Sequence, residues 1–119
     1  MTNIARSSGA KSALGEFEHH VLLAVLRLGS NAYTASILTE LEERTGREVS
    51  AAAVYIALRR MERSGLLKSE MRTGPGAHEN RERRYVRVTP RAIKLVREAR
   101  ERFVRLWDGL GDLAQDKGR

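Results

Sequence analysis

The sequence predicts a mainly α-helical chain with a single small β-hairpin and a long helix towards its C-terminal end. Three observations carry that prediction. Residues 50–65 form a capped amphipathic pattern that stops at a glycine. Leu66-LKSEMR, a tip rich in Gly, Pro and Asn, and Arg83-RYVRV-Thr89 then make two β-prone runs around a turn. Finally Ala92, Val96, Ala99, Phe103, Leu106, Leu110 and Leu113 recur at spacings of 4, 3, 4, 3, 4 and 3, the heptad period of a helix packed along one seam. A helix that runs straight into a basic hairpin is the second half of a winged helix-turn-helix, and the long last helix stands outside that unit.

Composition narrows the class further. A chain of 119 residues makes one domain, and 41% apolar residues give it a small core. There is no cysteine, which excludes a disulfide framework or thiolate metal site and fits a reducing, cytoplasmic setting. Met1-TNIARSSGAKSA lacks the apolar run of a signal peptide, and no segment approaches the ~20 apolar residues of a membrane span. The net charge is +7, and the whole excess falls between Arg72 and Arg105, where eleven Lys and Arg meet four Asp and Glu. Charge gathered in one region points to a polyanionic partner. Nucleic acid fits better than an anionic membrane, because the region has no helix with a basic face opposed to a free insertion face.

Taken in order, residues 1–13 are small, polar and basic without periodicity, and are expected to be a flexible arm. Leu14 to Leu28 is the first helix, closed by Gly29. Its apolar residues cover most of the circumference, so more than one side must be buried. Thr34 is expected to cap a second helix reaching about Thr45, with Ile37, Leu38 and Leu41 inward. Ser50 caps the third helix and Gly65 ends it. Val54, Leu58, Met61 and Leu66 face the core, while Ala51, Ala52, Tyr55, Arg59 and Arg63 lie on the other faces. Leu66 to Arg72 and Arg84 to Val88 are the strands. Thr89 caps the last helix, Pro90 takes its first position, and it is expected to run from Arg91 to about Leu113. Tyr33 with Leu38, Val49 with Val54, and Val88 with Ile93 bracket the three later caps as hydrophobic staples. The expected organisation is an arm (1–13), a winged helix domain (14–89), a C-terminal dimerisation helix (90–114) and a tail (115–119).

Two surfaces are left over once the domain is packed. A helix leaving a small domain cannot bury a heptad seam alone; it must pack on the first helix, on a second copy of the chain, or on both, and Phe17, Val21, Ala99, Phe103, Leu106, Trp107 and Leu110 are the residues expected at a subunit interface. The other surface is the third helix with its basic hairpin, which suits the major groove and the flanking backbone of double-stranded DNA. Ala51 and Ala52 would let the helix approach closely, although helix propensity alone also explains them. Ser50 can donate to a phosphate beyond its cap role. Tyr55, Arg59 and Arg63 share the face away from the core and are assigned to phosphate contact, as are Arg81, Arg83 and Arg84 of the hairpin. Trp107 is most simply packing, with a planar effector stacked on it as the alternative. His19 and His20 are adjacent and point about 100° apart on a helix, so no metal site is expected. Neither a phosphate loop nor a nucleophile with a base partner is present in the sequence, so no enzyme and no cofactor is expected.

The order of these pieces resembles the PadR family of bacterial transcription regulators, in its smaller form with a single C-terminal helix. The resemblance rests on Phe17-EHHVLLAVLRL, Ala32-YTASILTELEERTG, Ala53-VYIALRRMERSGLL and Arg83-RYVRVTPRA, and spans roughly residues 14–100. The family usually has Gly where this chain has Thr34 and often Pro where it has Ile56. The resemblance implies a homodimer held by the first and last helices, with two third helices facing a palindromic operator. It also implies a repressor that a small aromatic or planar compound releases. An adaptor whose basic hairpin binds an acidic protein partner is the alternative from another class; the cations of the third helix, Arg59, Arg60 and Arg63 against Glu62 alone, favour DNA.

Overall fold

The computed structural model describes residues 14–73 and 82–111. Helix α1 spans Glu16–Leu28, followed by a 3-10 turn at Gly29–Asn31; α2 spans Thr34–Thr45 and α3 spans Ala51–Arg63. Strands β1 (Leu67–Thr73) and β2 (Glu82–Val88) form an antiparallel hairpin, and α4 runs from Pro90 to Trp107. The fold is the mainly helical winged helix-turn-helix that the sequence predicts.

The helices pack because each carries one apolar stripe. Val21, Leu22 and Val25 of α1, Ile37 of α2, Val54 and Met61 of α3 and Leu67 of β1 are all less than 2% exposed or nearly so, and they meet in one core. Truncating a buried aliphatic of this kind costs about 2–5 kcal/mol. Surface pairs such as Arg44–Glu40 (2.6 Å) are worth at most about 1 kcal/mol, so the core decides the fold. On α4 only Ala92 is fully buried, with Leu95 and Val96 packed against the core's edge.

Local signals set the boundaries, with three corrections. The cap of α2 is Tyr33, not Thr34. Ser36 takes over the capping task, its hydroxyl accepting from the Tyr33 N–H at 2.9 Å, and the staple shifts to Ala32 and Ile37, both without exposed surface. Helix α4 stops at Trp107, short of Leu113: Asp108 leaves the helical conformation (φ −57°, ψ 129°) and Gly109, at φ 83°, turns the chain away from the helix axis. Leu110 therefore lies beyond the helix, and Leu113 falls outside the described residues. Val21 is 0% exposed inside its own domain, so it cannot face a second subunit. Leu23 and Leu26, 45% and 43% exposed, are the apolar residues that α1 leaves open.

One junction ties the working parts together. Gly65, at φ +82°, turns the chain out of α3, and the Leu66 N–H returns to the Met61 carbonyl at 2.8 Å. Thr89, at the start of α4, donates its hydroxyl to the Gly65 carbonyl (2.8 Å) and accepts from the Ala92 N–H (3.3 Å). Its own N–H bonds the Leu66 carbonyl (3.1 Å), and Arg91 donates to the Ser64 carbonyl. The Val86 N–H bonds Ala32 (2.9 Å), so β2 lies between β1 and the segment entering α2. Because Thr89 is buried and bonded on both sides, Thr89→Val should lower the unfolding free energy by about 2 kcal/mol in urea denaturation. The exposed cap change Ser50→Ala should cost about 1 kcal/mol.

Partial burial first, then the neighbouring His20, then Arg102, hold the pKa of His19 below the ordinary 6.5. The folded state therefore prefers the neutral ring, and the unfolded chain binds the proton first as pH falls below 6.5. Stability should decline through that window and be regained above it. Melting temperatures at about pH 7.5 and about pH 5.5 check this, with His19→Gln expected to reduce the difference.

Candidate nucleic-acid interface

Helix α3 divides cleanly. Val54, Ala57, Leu58 and Met61 are buried, and the opposite side presents Ala52, Ile56, Arg59 and Arg63 in one row, at i, i+4, i+7 and i+11. Ser50 caps the helix by accepting from the Ala53 N–H at 3.1 Å, which leaves its O–H able to donate. Ala51 and Ala52 are exposed at the entry. Tyr55 is 48% exposed, and Arg59 donates to its hydroxyl at 3.0 Å with the guanidinium 5.8 Å from the ring centre. That bond uses the phenol oxygen as acceptor and keeps its proton free for an anion. Arg63 is exposed, and Arg60 sits 4.0 Å from Glu18 of α1. Sequence reasoning passed over Ile56, which is 53% exposed in the middle of the row. The helical period, drawn through Ala52, Arg59 and Arg63, would have found it.

The hairpin is fixed to this helix by a polar relay. Ser69 of β1 donates to Glu62 of α3 at 2.7 Å and accepts from Arg84 of β2 at 3.1 Å. Arg84 is thereby held beside the end of α3 while remaining exposed. Pairing runs from Leu67↔Val88 to Thr73↔Glu82, with Met71 opposite Arg84 and Arg72 opposite Arg83.

On the other face of the hairpin four side chains stack in sequence. The Arg72 guanidinium lies 3.8 Å from the Tyr85 ring centre. Tyr85 meets Tyr33 edge-on, with centroids 5.4 Å apart, and Arg83 lies 4.5 Å from the Tyr33 ring. Arg83 also donates to the Tyr85 hydroxyl at 3.4 Å, and this bond is the main reason its pKa is raised above the ordinary arginine value. Arg72 reaches the Ser30 carbonyl at 2.7 Å and pairs with Glu70 at 3.0 Å. The stack covers Tyr85, which is only 3% exposed. Arg83, expected as a free wing cation, is thus engaged in packing the wing against the start of α2. Arg72, which the sequence offered only as part of a charge count, is its anchor. Arg81 lies outside the described residues.

The exposed apolar side chains concentrate elsewhere. Phe103, Leu106 and Trp107 are 62%, 70% and 48% exposed, on the same side of α4 as buried Ala92. Leu110, beyond the helix, is 48% exposed, Phe17 is half-buried, and Ala99 sits where the seam passes from covered to open.

A helix-turn-helix whose second helix is braced by a two-stranded wing, with a helical extension outside it, defines a winged-helix regulator. The model of the PadR-like family of transcriptional regulators matches residues 22–96, and the chain belongs to that family. It is a transcription regulator rather than an enzyme. A solved PadR family transcriptional regulator from Eggerthella lenta is similar at 28% identity, covering 94% of this chain and 93% of that one, with a TM-score of 0.60. A transcriptional regulator from Clostridium thermocellum shares the fold at 23% identity, covering 80% and 89%, with a TM-score of 0.63. A comparison with curated protein sequences gives no match.

Arg72→Ala should speed hydrogen exchange at the hairpin amides and lower stability by about 1 kcal/mol. Arg84→Ala, which removes an exposed cation, should change both far less.

Proposed function

We propose that the protein is a sequence-specific regulator that binds double-stranded DNA as a homodimer on a palindromic operator, and that it acts as a repressor. The exposed row on α3 carries this reading. A helix with small side chains at its entry and cations along its far half suits a groove walled by phosphates. The relay from Glu62 through Ser69 places Arg84 beside that helix. Ser50, Tyr55, Arg59 and Arg63 supply phosphate contacts in this reading. Arg81 of the hairpin tip adds a further phosphate contact in this reading, and Arg83 acts through the stack.

The dimer is supported by the open seam of α4 and the open residues of α1. Among the described residues nothing covers Phe103, Leu106 or Trp107, and a second copy offers the same apolar stripe in a self-complementary way. Paired domains would then meet half-sites about one helical turn apart or a multiple of it. Trp107 rings near such an interface offer a flat surface to a small planar effector that releases the DNA.

Binding-site selection with the purified protein, read out by sequencing, should enrich a palindromic motif. Absence of any enriched motif would favour the adaptor with an acidic partner. Arg59→Ala with Arg63→Ala should weaken operator binding and reduce the slope of log K against log salt by about four, two contacts being lost from each subunit of the dimer. Sedimentation should give a dimer mass that Phe103→Glu with Leu106→Glu converts to a monomer, with the winged domain still folded by circular dichroism.

A further inference from the structure

The entry half of α3 has almost nothing with which to form hydrogen bonds to bases. Ala51, Ala52, Ala53, Val54, Tyr55 and Ile56 follow one another, and the Tyr55 hydroxyl, which accepts from Arg59, is assigned above to a phosphate. Every guanidinium of the helix lies in its second half. Helices of this kind present their N-terminal residues to the base edges, so what meets the floor of the groove here is alkyl.

Ile56 is the prominent alkyl group of that half. It is 53% exposed although a large aliphatic, and it follows exposed Ala52 by one turn on the row that continues to Arg59 and Arg63. The feature of a major groove that an alkyl side chain distinguishes is the thymine 5-methyl group. Arg59, Arg60 and Arg63 surround its far side with positive charge, which suits a phosphate-walled groove and opposes the same basic face of a second copy.

We infer that Ile56, with Ala52 beside it, recognises thymine 5-methyl groups, so that each half-site carries thymines where α3 enters the major groove. The inference rests on the DNA-binding reading above and names the class of sequence it selects. Ile56 is a specificity-determining residue in this account, and the cations around it set affinity.

The test uses the full chain and the duplex enriched by site selection, with each thymine of a half-site replaced in turn by deoxyuridine, which lacks only the methyl. Loss of one buried methyl contact should weaken wild-type binding about 3- to 5-fold at one or two positions and leave the others unchanged. Ile56→Ala removes the contact from both subunits and should bind the thymine duplex about 10- to 25-fold more weakly, lose its sensitivity to deoxyuridine at those positions, and keep the wild-type salt slope, since no phosphate contact is removed. Ile56→Val should retain part of the sensitivity. Specific binding that tolerates deoxyuridine everywhere, or an Ile56→Ala protein that keeps the wild-type sensitivity, overturns the inference and leaves the regulator reading standing. Binding without any sequence preference overturns both. A fall to monomer mass in Ile56→Ala would assign the residue to subunit contact and overturn the inference alone.

Discussion

The junction at Ser64–Leu67 is the constraint on which the working arrangement depends. The end of α3, the first residue of β1, the last of β2 and the cap of α4 meet there, through Leu66 to Met61, Thr89 to Gly65 and Leu66, and the Leu67↔Val88 pair. Backbone groups at a helix end must find partners; here the N–H groups of Ser64, Gly65 and Leu66 fold back onto α3, and the Ser64 and Gly65 carbonyls are met by Arg91 and Thr89 at the start of α4. The direction in which α4 leaves the domain, the tilt of the wing and the exposed row of α3 are therefore set together. A glycine with positive φ makes the turn feasible at the crossing point.

The second half of the hairpin's geometry comes from arginines that do not act as free charges. Arg72 and Arg83 lie on tyrosine rings, and Arg72 also holds the Ser30 carbonyl. Arg84, one residue from Arg83, faces the opposite side and stays exposed. Neighbouring cations on one strand thus divide between packing and availability because strand side chains alternate. A charge count along the chain bounds the number of anion contacts from above; alternation and aromatic neighbours decide how many remain.

Much of this was legible in the sequence, and the misses have physical causes. The third helix, its Ser50 cap and its inner stripe of Val54, Leu58 and Met61 follow from period and cap chemistry, and the structure has them there. Thr89 and Pro90 marked the start of α4 for the same reason. Thr34 was a plausible cap by residue type, yet Ser36 supplies the bond from inside the helix, which residue preference at one position does not reveal. The heptad pattern continues to Leu113 although the helix does not, because periodicity is blind to the turn at Asp108 and Gly109. Val21 is buried in its own domain, which the pattern of a helix apolar nearly all round does not distinguish from a side facing outward. The four-membered stack was invisible because Tyr33 and Tyr85 stand far apart in the chain and only the fold brings them together.

The last turns of α4 carry apolar side chains that their own domain leaves uncovered. In a dimer that covered it, the order of this segment would be tied to abundance of the chain in a way that the buried core is not. In the proposed assembly, occupancy of a target would climb more steeply than the number of molecules made, because two must associate before either grips well. A shallow change in synthesis would then become a sharper change in transcription, with no additional ligand required.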